Sequence, residues 1–150
     1  METKQKAHVK READLQGKFG RWLRSEAGGE VFPFACAFEL KAKEAGESIA
    51  FDAVAVHQAA ALEAASEYGE GVYYKLTDLS LGRKPFDCFW LKNAHAFVVV
   101  GWRHSDGWHV YGVDIEDWQE IADTFAKEGR KSIKEAEIEE KAGGFEIALL

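Results

Sequence analysis

Only two cysteines and two prolines occur among the 150 residues, and no apolar run approaches the length of a membrane span. Cys36 and Cys88 are too few for a disulfide framework. A chain of this size buries roughly two-thirds of the surface that its unfolded form exposes, so it needs neither disulfides nor a structural metal to fold. The longest apolar stretch, 94–102, contains His95 and falls far short of the ~20 residues of a spanning helix. The charged segment 1–11 has no apolar signal region. These absences predict a cytoplasmic, soluble protein with reduced thiols and no membrane partner. What is present, 47% hydrophobic and 30% charged residues without a repeat or a Pro/Ser-rich linker, predicts a single folded domain over 1–150 and excludes a disordered or collagen-like chain.

The formal net charge of −7 is unevenly spread. Residues 1–24 carry seven basic side chains (Lys4, Lys6, Lys10, Arg11, Lys18, Arg21, Arg24) against three acidic ones, a balance of +4, so the other 126 residues sum to −11. Affinity for a phosphate backbone comes largely from basic groups that displace counterions. The basic N-terminal arm is therefore a candidate contact for DNA, and equally a solvated helix face. The acidic excess after Asp114 has the pattern of solvated helix surface.

Periodicity predicts a helix over 9–26 with Leu15, Phe19, Trp22 and Leu23 on one stripe, stopped by Gly28-Gly29. A strand is expected within 31–43, whose end alternates Phe38, Leu40 and Ala42 with Glu39, Lys41 and Lys43, and a turn at 43–47. Asp52 is expected to cap a helix running to about Tyr68, with Gln58 on or beside its apolar side. Strands are expected at 71–77 and 86–91, joined by a polar loop, 78–84. Asp106-Gly107 marks a hairpin between 97–102 and 108–111. Asp114 should cap a helix to about Lys127, Ser132 with Glu135 has the pattern of a capping box, and 145–150 suits a last strand. The order of elements predicts an α/β or α+β fold with a mixed sheet.

The chemistry concentrates in Phe38-Glu39-Leu40-Lys41, followed across a turn and a helix start by His57-Gln58. A carboxylate and a lysine two residues apart on a strand point to one side about 7 Å apart and can reach one phosphate. In a metal-dependent nuclease the carboxylate holds Mg²⁺, which binds through one or two protein carboxylates and keeps several waters. The lysine then stabilises the charge that develops on phosphorus. On many exposed strands the same spacing is only a solvated ion pair.

The stretch AFELKAKEAGESIAFDAVAVHQAAAL resembles the core of the PD-(D/E)xK nucleases, most closely the RecU-type Holliday-junction resolvases, including phage-encoded proteins with a Lys-Pro-Phe-Asp-Cys-Phe segment. In that family a strand carrying Phe-Glu-x-Lys is followed by a Ser/Thr-containing connection and a helix that opens with His-Gln. The likeness covers about thirty residues. It implies a restriction-endonuclease-like mixed β-sheet flanked by helices and a Mg²⁺-dependent endonuclease, with Mn²⁺ as substitute, that hydrolyses phosphodiesters in branched DNA as a homodimer. Glu39 is then a metal ligand, Lys41 the catalytic lysine and Gln58 a residue turned toward the site. His57 matches the histidine of the pair and is a candidate DNA contact; Lys18, Arg21 and Arg24 on the first helix are candidate phosphate contacts, or equally a solvated face.

The family's first acidic ligand, an Asp on the strand just before Glu-x-Lys, has no counterpart, because Glu30 is the only acidic residue between Gly29 and Glu39. Asp87, at the start of the strand expected after the helix, is the chosen substitute; Asp78 and Asp52 rank below it, as do Glu12 and Glu26 for a further acid from the first helix. The alternative function is a catalytically inactive nucleic-acid-binding or inhibitor protein on the same fold; a third is a protein-interaction domain. His95, His104 and His109 with Asp106 are expected to occupy ordinary strand and turn positions. Cys36 and Cys88 are expected as small buried hydrophobes, and Trp90, Trp102, Trp108 and Trp118 as core residues.

Overall fold

The structure, a computed structural model, describes residues 3–77 and 84–149. Helix α1 (Lys4–Leu23) begins at Thr3, whose side chain accepts from the Lys6 N–H, and is followed by a short α2 (Glu26–Val31). The glycines at 28 and 29 thus lie inside a second helix. They do not end the first, which closes at Arg24, and Ser25 caps α2 by accepting from the Gly28 N–H. Strand β1 (Cys36–Glu44) leads to β2 (Ile49–Ala50), a 3₁₀ turn (Phe51–Ala53) and α3 (Val56–Ala65). Strands β3 (Val72–Lys75), β4 (Cys88–Leu91), β5 (His95–His104) and β6 (Gly107–Asp114) follow, then α4 (Ile115–Lys127), β7 (Ser132–Ile133), a 3₁₀ turn (Glu135–Glu137), α5 (Ile138–Ala142) and β8 (Phe145–Ile147).

The fold is mixed α/β, with a four-stranded sheet in the order β1-β5-β6-β8. β1 runs parallel to β5, and the other two pairings are antiparallel. The apolar run 94–102 is the heart of the central strand β5, where Ala96 to Val100 and Trp102 are buried. A strand covered on both faces needs such a near-continuous run, whereas the half-covered β1 alternates.

The alternation of β1 separates two cores. Phe38, Leu40 and Ala42 meet Leu15, Phe19 and Trp22 of α1, together with Phe97 and Val99 of β5. Ala37 lies on the other face, where Val98 and Val100 pack against Leu62 of α3 and Trp118, Ile121 and Phe125 of α4. Glu39 and Lys41 share the Ala37 side, so they face α3, with α1 on the opposite layer.

Two expectations about this region are corrected. Asp52 caps no helix; it sits in the 3₁₀ turn, and α3 starts after Ala55. The strands after α3 do not join the sheet beside β1: β3 and β4 pair with each other as a separate antiparallel ribbon, and β5 takes the place next to β1. Asp114 caps α4 as expected, accepting from the Glu116 N–H at 2.9 Å. Ser132 forms no capping box and instead belongs to β7, paired with β2.

Candidate functional site

Helix α3 has no side-chain oxygen at its N-cap, because that residue is Ala55. Gln58, in the first turn, supplies the missing acceptor: its Oε1 takes the Ala55 N–H at 2.9 Å. That bond fixes which end of the amide faces where, and the Gln58 NH₂ group turns to β1, donating to Glu39 Oε1 at 2.9 Å. Lys41 Nζ lies 3.1 Å from the same oxygen. Glu39, Lys41 and Gln58 are thus brought together as the sequence predicted. The Lys41 and Glu39 side chains are only 16% and 25% exposed, unlike a freely solvated pair. Both contacts fall on Oε1, and Oε2 of Glu39 has no hydrogen bond among the described residues.

Glu39 and Gln58 open onto a cleft of about 490 Å³ between β1, α3 and the β3–β4 ribbon. Exposed His57 stands on its α3 wall. Tyr74 and Phe89 form the ribbon wall, their rings stacked at 5.6 Å and nearly parallel. Neither ring was singled out in the sequence, although each lies at an alternating position of a predicted strand. Cys36 also lines the cleft, and burial pushes its thiol up to about 11, which suits a packing residue and opposes a nucleophile. Cys88 departs from expectation: it lies on an exposed position of β4.

Asp87 is not on a strand adjacent to Glu39. It precedes β4, is 88% exposed, and pairs with Lys84 at 3.3 Å. Its carbonyl accepts from the Leu76 N–H, which extends the ribbon by one pair. Phe89 and Leu91, two and four residues further on, line the cleft, whereas Asp87 itself lies in the bend before β4 and is not among the lining residues. Asp78 lies outside the described residues.

The basic residues of α1 cover the opposite layer. Lys18 is held by Asp14 at 3.2 Å, and the same carboxylate, kept below its usual range by the Trp108 N–H first and by Lys18, accepts from Trp108 at 2.9 Å. Arg24 donates from Nε to the Gly20 carbonyl, and Arg21 stands in the last turn of α1. Among the tryptophans, Trp102 and Trp118 are buried as expected and Trp108 is partly buried, whereas Trp90 is 58% exposed.

Glu39 offers one carboxylate, with Oε2 free of hydrogen bonds among the described residues, and Mg²⁺ sites are built on one or two carboxylates completed by water and substrate phosphate. The site does not suit a closed all-protein metal cage: among the described residues no group of three His, Cys, Asp or Glu side chains includes Glu39. The chain matches no protein-family model, no curated protein and no solved structure.

Proposed function

We propose that this protein is a Mg²⁺-dependent endonuclease acting on branched or structured DNA. The observation that carries this is the convergence of Lys41 Nζ and Gln58 Nε2 on one oxygen of Glu39, a residue that lines a cleft together with Gln58. Glu39 and, from the ribbon, Asp87 would hold the metal. When bound, that ion polarises a phosphoryl oxygen and lowers the pKa of its water.

The chain's own groups do the rest. Gln58 fixes the rotamer of Glu39 through an amide that is itself locked by the α3 N-terminus. Lys41, paired with Glu39, would supply the positive charge for the oxygens that gain charge as the phosphodiester is attacked. Tyr74 and Phe89 offer π-faces to unpaired bases of the kind found at junctions and flaps. His57 stands at the rim as a further DNA contact, and Lys18, Arg21 and Arg24 take phosphates of an arm that passes round the outer edge of β1. A homodimer would match the two symmetric cleavage points of a four-way junction.

A second reading is a catalytically silent nucleic-acid-binding or inhibitor protein. The pairing of Asp87 with Lys84 and its high exposure favour it, since the second carboxylate is engaged elsewhere. One assay separates the two: labelled four-way junction, flap and linear duplex DNA, incubated with Mg²⁺, Mn²⁺ or EDTA, using wild type, Glu39→Ala and Lys41→Ala. Metal-dependent cutting lost in both variants is the expected result. Binding without cutting by any form establishes the silent binder, and neither cutting nor binding removes both.

A further inference from the structure

At the far end of the β5–β6 hairpin, three side chains converge. Register pairs Trp102 with His109 and His104 with Gly107, so His104 and His109 stand on one face as diagonal neighbours across the strands. Their rings stack with centroids 4.0 Å apart. The 3₁₀ turn after β7 brings Glu135 over them, its two oxygens 2.5 and 2.8 Å from His104 Nε2. One ligand atom from each of His104, His109 and Glu135 lies within 4.8 Å of the other two, and all three residues are half-buried.

We infer that His104, His109 and Glu135 form a binding site for a divalent transition-metal ion of the zinc class, separate from the Glu39 cleft. Two imidazoles and one carboxylate select zinc, cobalt or nickel over the oxygen-seeking magnesium and calcium. Zinc bonds of about 2.0–2.2 Å set tetrahedral ligand atoms ~3.4 Å apart, so closing the cluster needs side-chain rotations of about an ångström. The surroundings are also those of a metal site. Asp106 holds His109 Nε2 at 3.0 and 3.2 Å, the carboxylate–histidine arrangement that orients an imidazole for ligation through its other nitrogen. A second cleft, about 460 Å³, reaches Glu135 beside Tyr111, Lys134 and Glu47. Three protein ligands beside an open cleft leave the fourth position to water. The ion would also tie the hairpin tip to the segment that carries β7 and α5.

The test is calorimetric titration of tag-free, chelator-treated full-length protein with Zn²⁺, with Co²⁺ absorption between 500 and 700 nm as the geometric probe. One equivalent of Zn²⁺ bound at micromolar affinity or better, and a Co²⁺ spectrum abolished by excess Zn²⁺, are expected. Glu135→Gln and His104→Asn each weaken binding by at least roughly tenfold, Asp106→Asn by roughly ten- to a hundredfold, and Asp123→Asn, at an exposed position of α4, leaves it unchanged. Imidazole resonances of the wild type add a readout that does not depend on any variant folding: of the five histidines, those of His104 and His109 shift on adding Zn²⁺, and those of His8, His57 and His95 do not. Absence of binding, binding retained by the folded His104→Asn/Glu135→Gln double variant, or shifts confined to the other three histidines would each overturn the site.

Discussion

The amide of Gln58 bridges a helix end and a strand: its oxygen accepts from the Ala55 N–H and its nitrogen donates to Glu39, each at 2.9 Å. Removing it by Gln58→Ala strips two hydrogen bonds, of which the capping one is worth about 1 kcal/mol. For a chain of this length a loss of that size lowers the midpoint of thermal unfolding by roughly 2–4 °C. Gln58→Glu keeps an acceptor for Ala55 but places a second carboxylate against Glu39. Glu39→Gln should therefore recover part of the loss caused by Gln58→Glu, a coupling that thermal unfolding of the double-mutant cycle measures. Strict additivity would show that Gln58 acts on α3 alone and has no hold on Glu39.

Tyr74 and Phe89 give the cleft a stacked aromatic wall. Stacking on a base is worth about 1–3 kcal/mol, so Tyr74→Ala should weaken binding to flap or junction DNA by roughly 5- to 150-fold. Affinity for fully paired duplex should change little, because its bases are not available to stack. Fluorescence anisotropy on the two substrates checks the contrast. Equal weakening on both would mean that the ring supports the ribbon and touches no base.

The sheet and the Glu39–Lys41–Gln58 cluster were legible because they rest on short-range rules. Alternation fixed which residues of β1 face together, the apolar run 94–102 marked a strand buried on both sides, and Asp114 announced α4. The place of the ribbon was not legible. Residues 72–75 and 88–91 alternate like sheet strands, and nothing local says that they pair only with each other while β5 takes the position beside β1. Hence Asp87 was expected on the neighbouring strand and is found at the entry to the ribbon. The cap of α3 was hidden for a related reason: Asp52 has the better capping chemistry, but Val54 is buried and the intervening turn is 3₁₀, which leaves Ala55 at the N-cap and the work to Gln58. The His104–His109–Glu135 cluster joins positions 31 residues apart in sequence, and no local spacing announces it.

Leu15 of α1 approaches the sheet where two small residues, Ala42 and Gly101, lie side by side on β1 and β5. A Cβ at Gly101 would stand 2.8 and 2.9 Å from the two methyl carbons of Leu15 and 3.0 Å from Trp108 Cε3. Leu15 is fully buried, so it has no solvent into which to swing. Gly101→Ala should therefore cost about 1–3 kcal/mol through overpacking. Adding Leu15→Ala should recover part of that loss instead of adding its whole cavity cost, a coupling that chemical denaturation of the double-mutant cycle measures. Strict additivity would mean that the sheet yields around the new methyl group while the helix stays in place.

Near the C-terminus Glu137 is the most strongly held carboxylate. Arg130 donates to both of its oxygens, at 2.9 and 2.6 Å, the Lys134 N–H adds a bond at 3.1 Å, and Lys141 lies 3.2 Å away. The Arg130 guanidinium first, then the backbone donor and Lys141, bring its pKa from 4.5 down to about 2. A carboxyl whose pKa is depressed by folding stabilises the native state at pH values above its unfolded pKa, and that contribution disappears as pH falls through the folded value. The stability of the wild type should thus fall between about pH 4.5 and pH 2 by an amount that Glu137→Gln lacks. At pH 7 the variant should unfold at a lower temperature, by roughly 2–8 °C for a loss of about 1–2 kcal/mol. The two curves should converge toward pH 2 and meet below it, because the wild-type carboxyl, half-protonated near 2, becomes neutral like the amide at lower pH. Calorimetric scans of both proteins across this range decide the matter: a gap that stays constant down to pH 2 would mean that Arg130 gains nothing from the charge on Glu137 and that the pair is held by packing against Phe125, over whose ring the guanidinium lies at 4.0 Å.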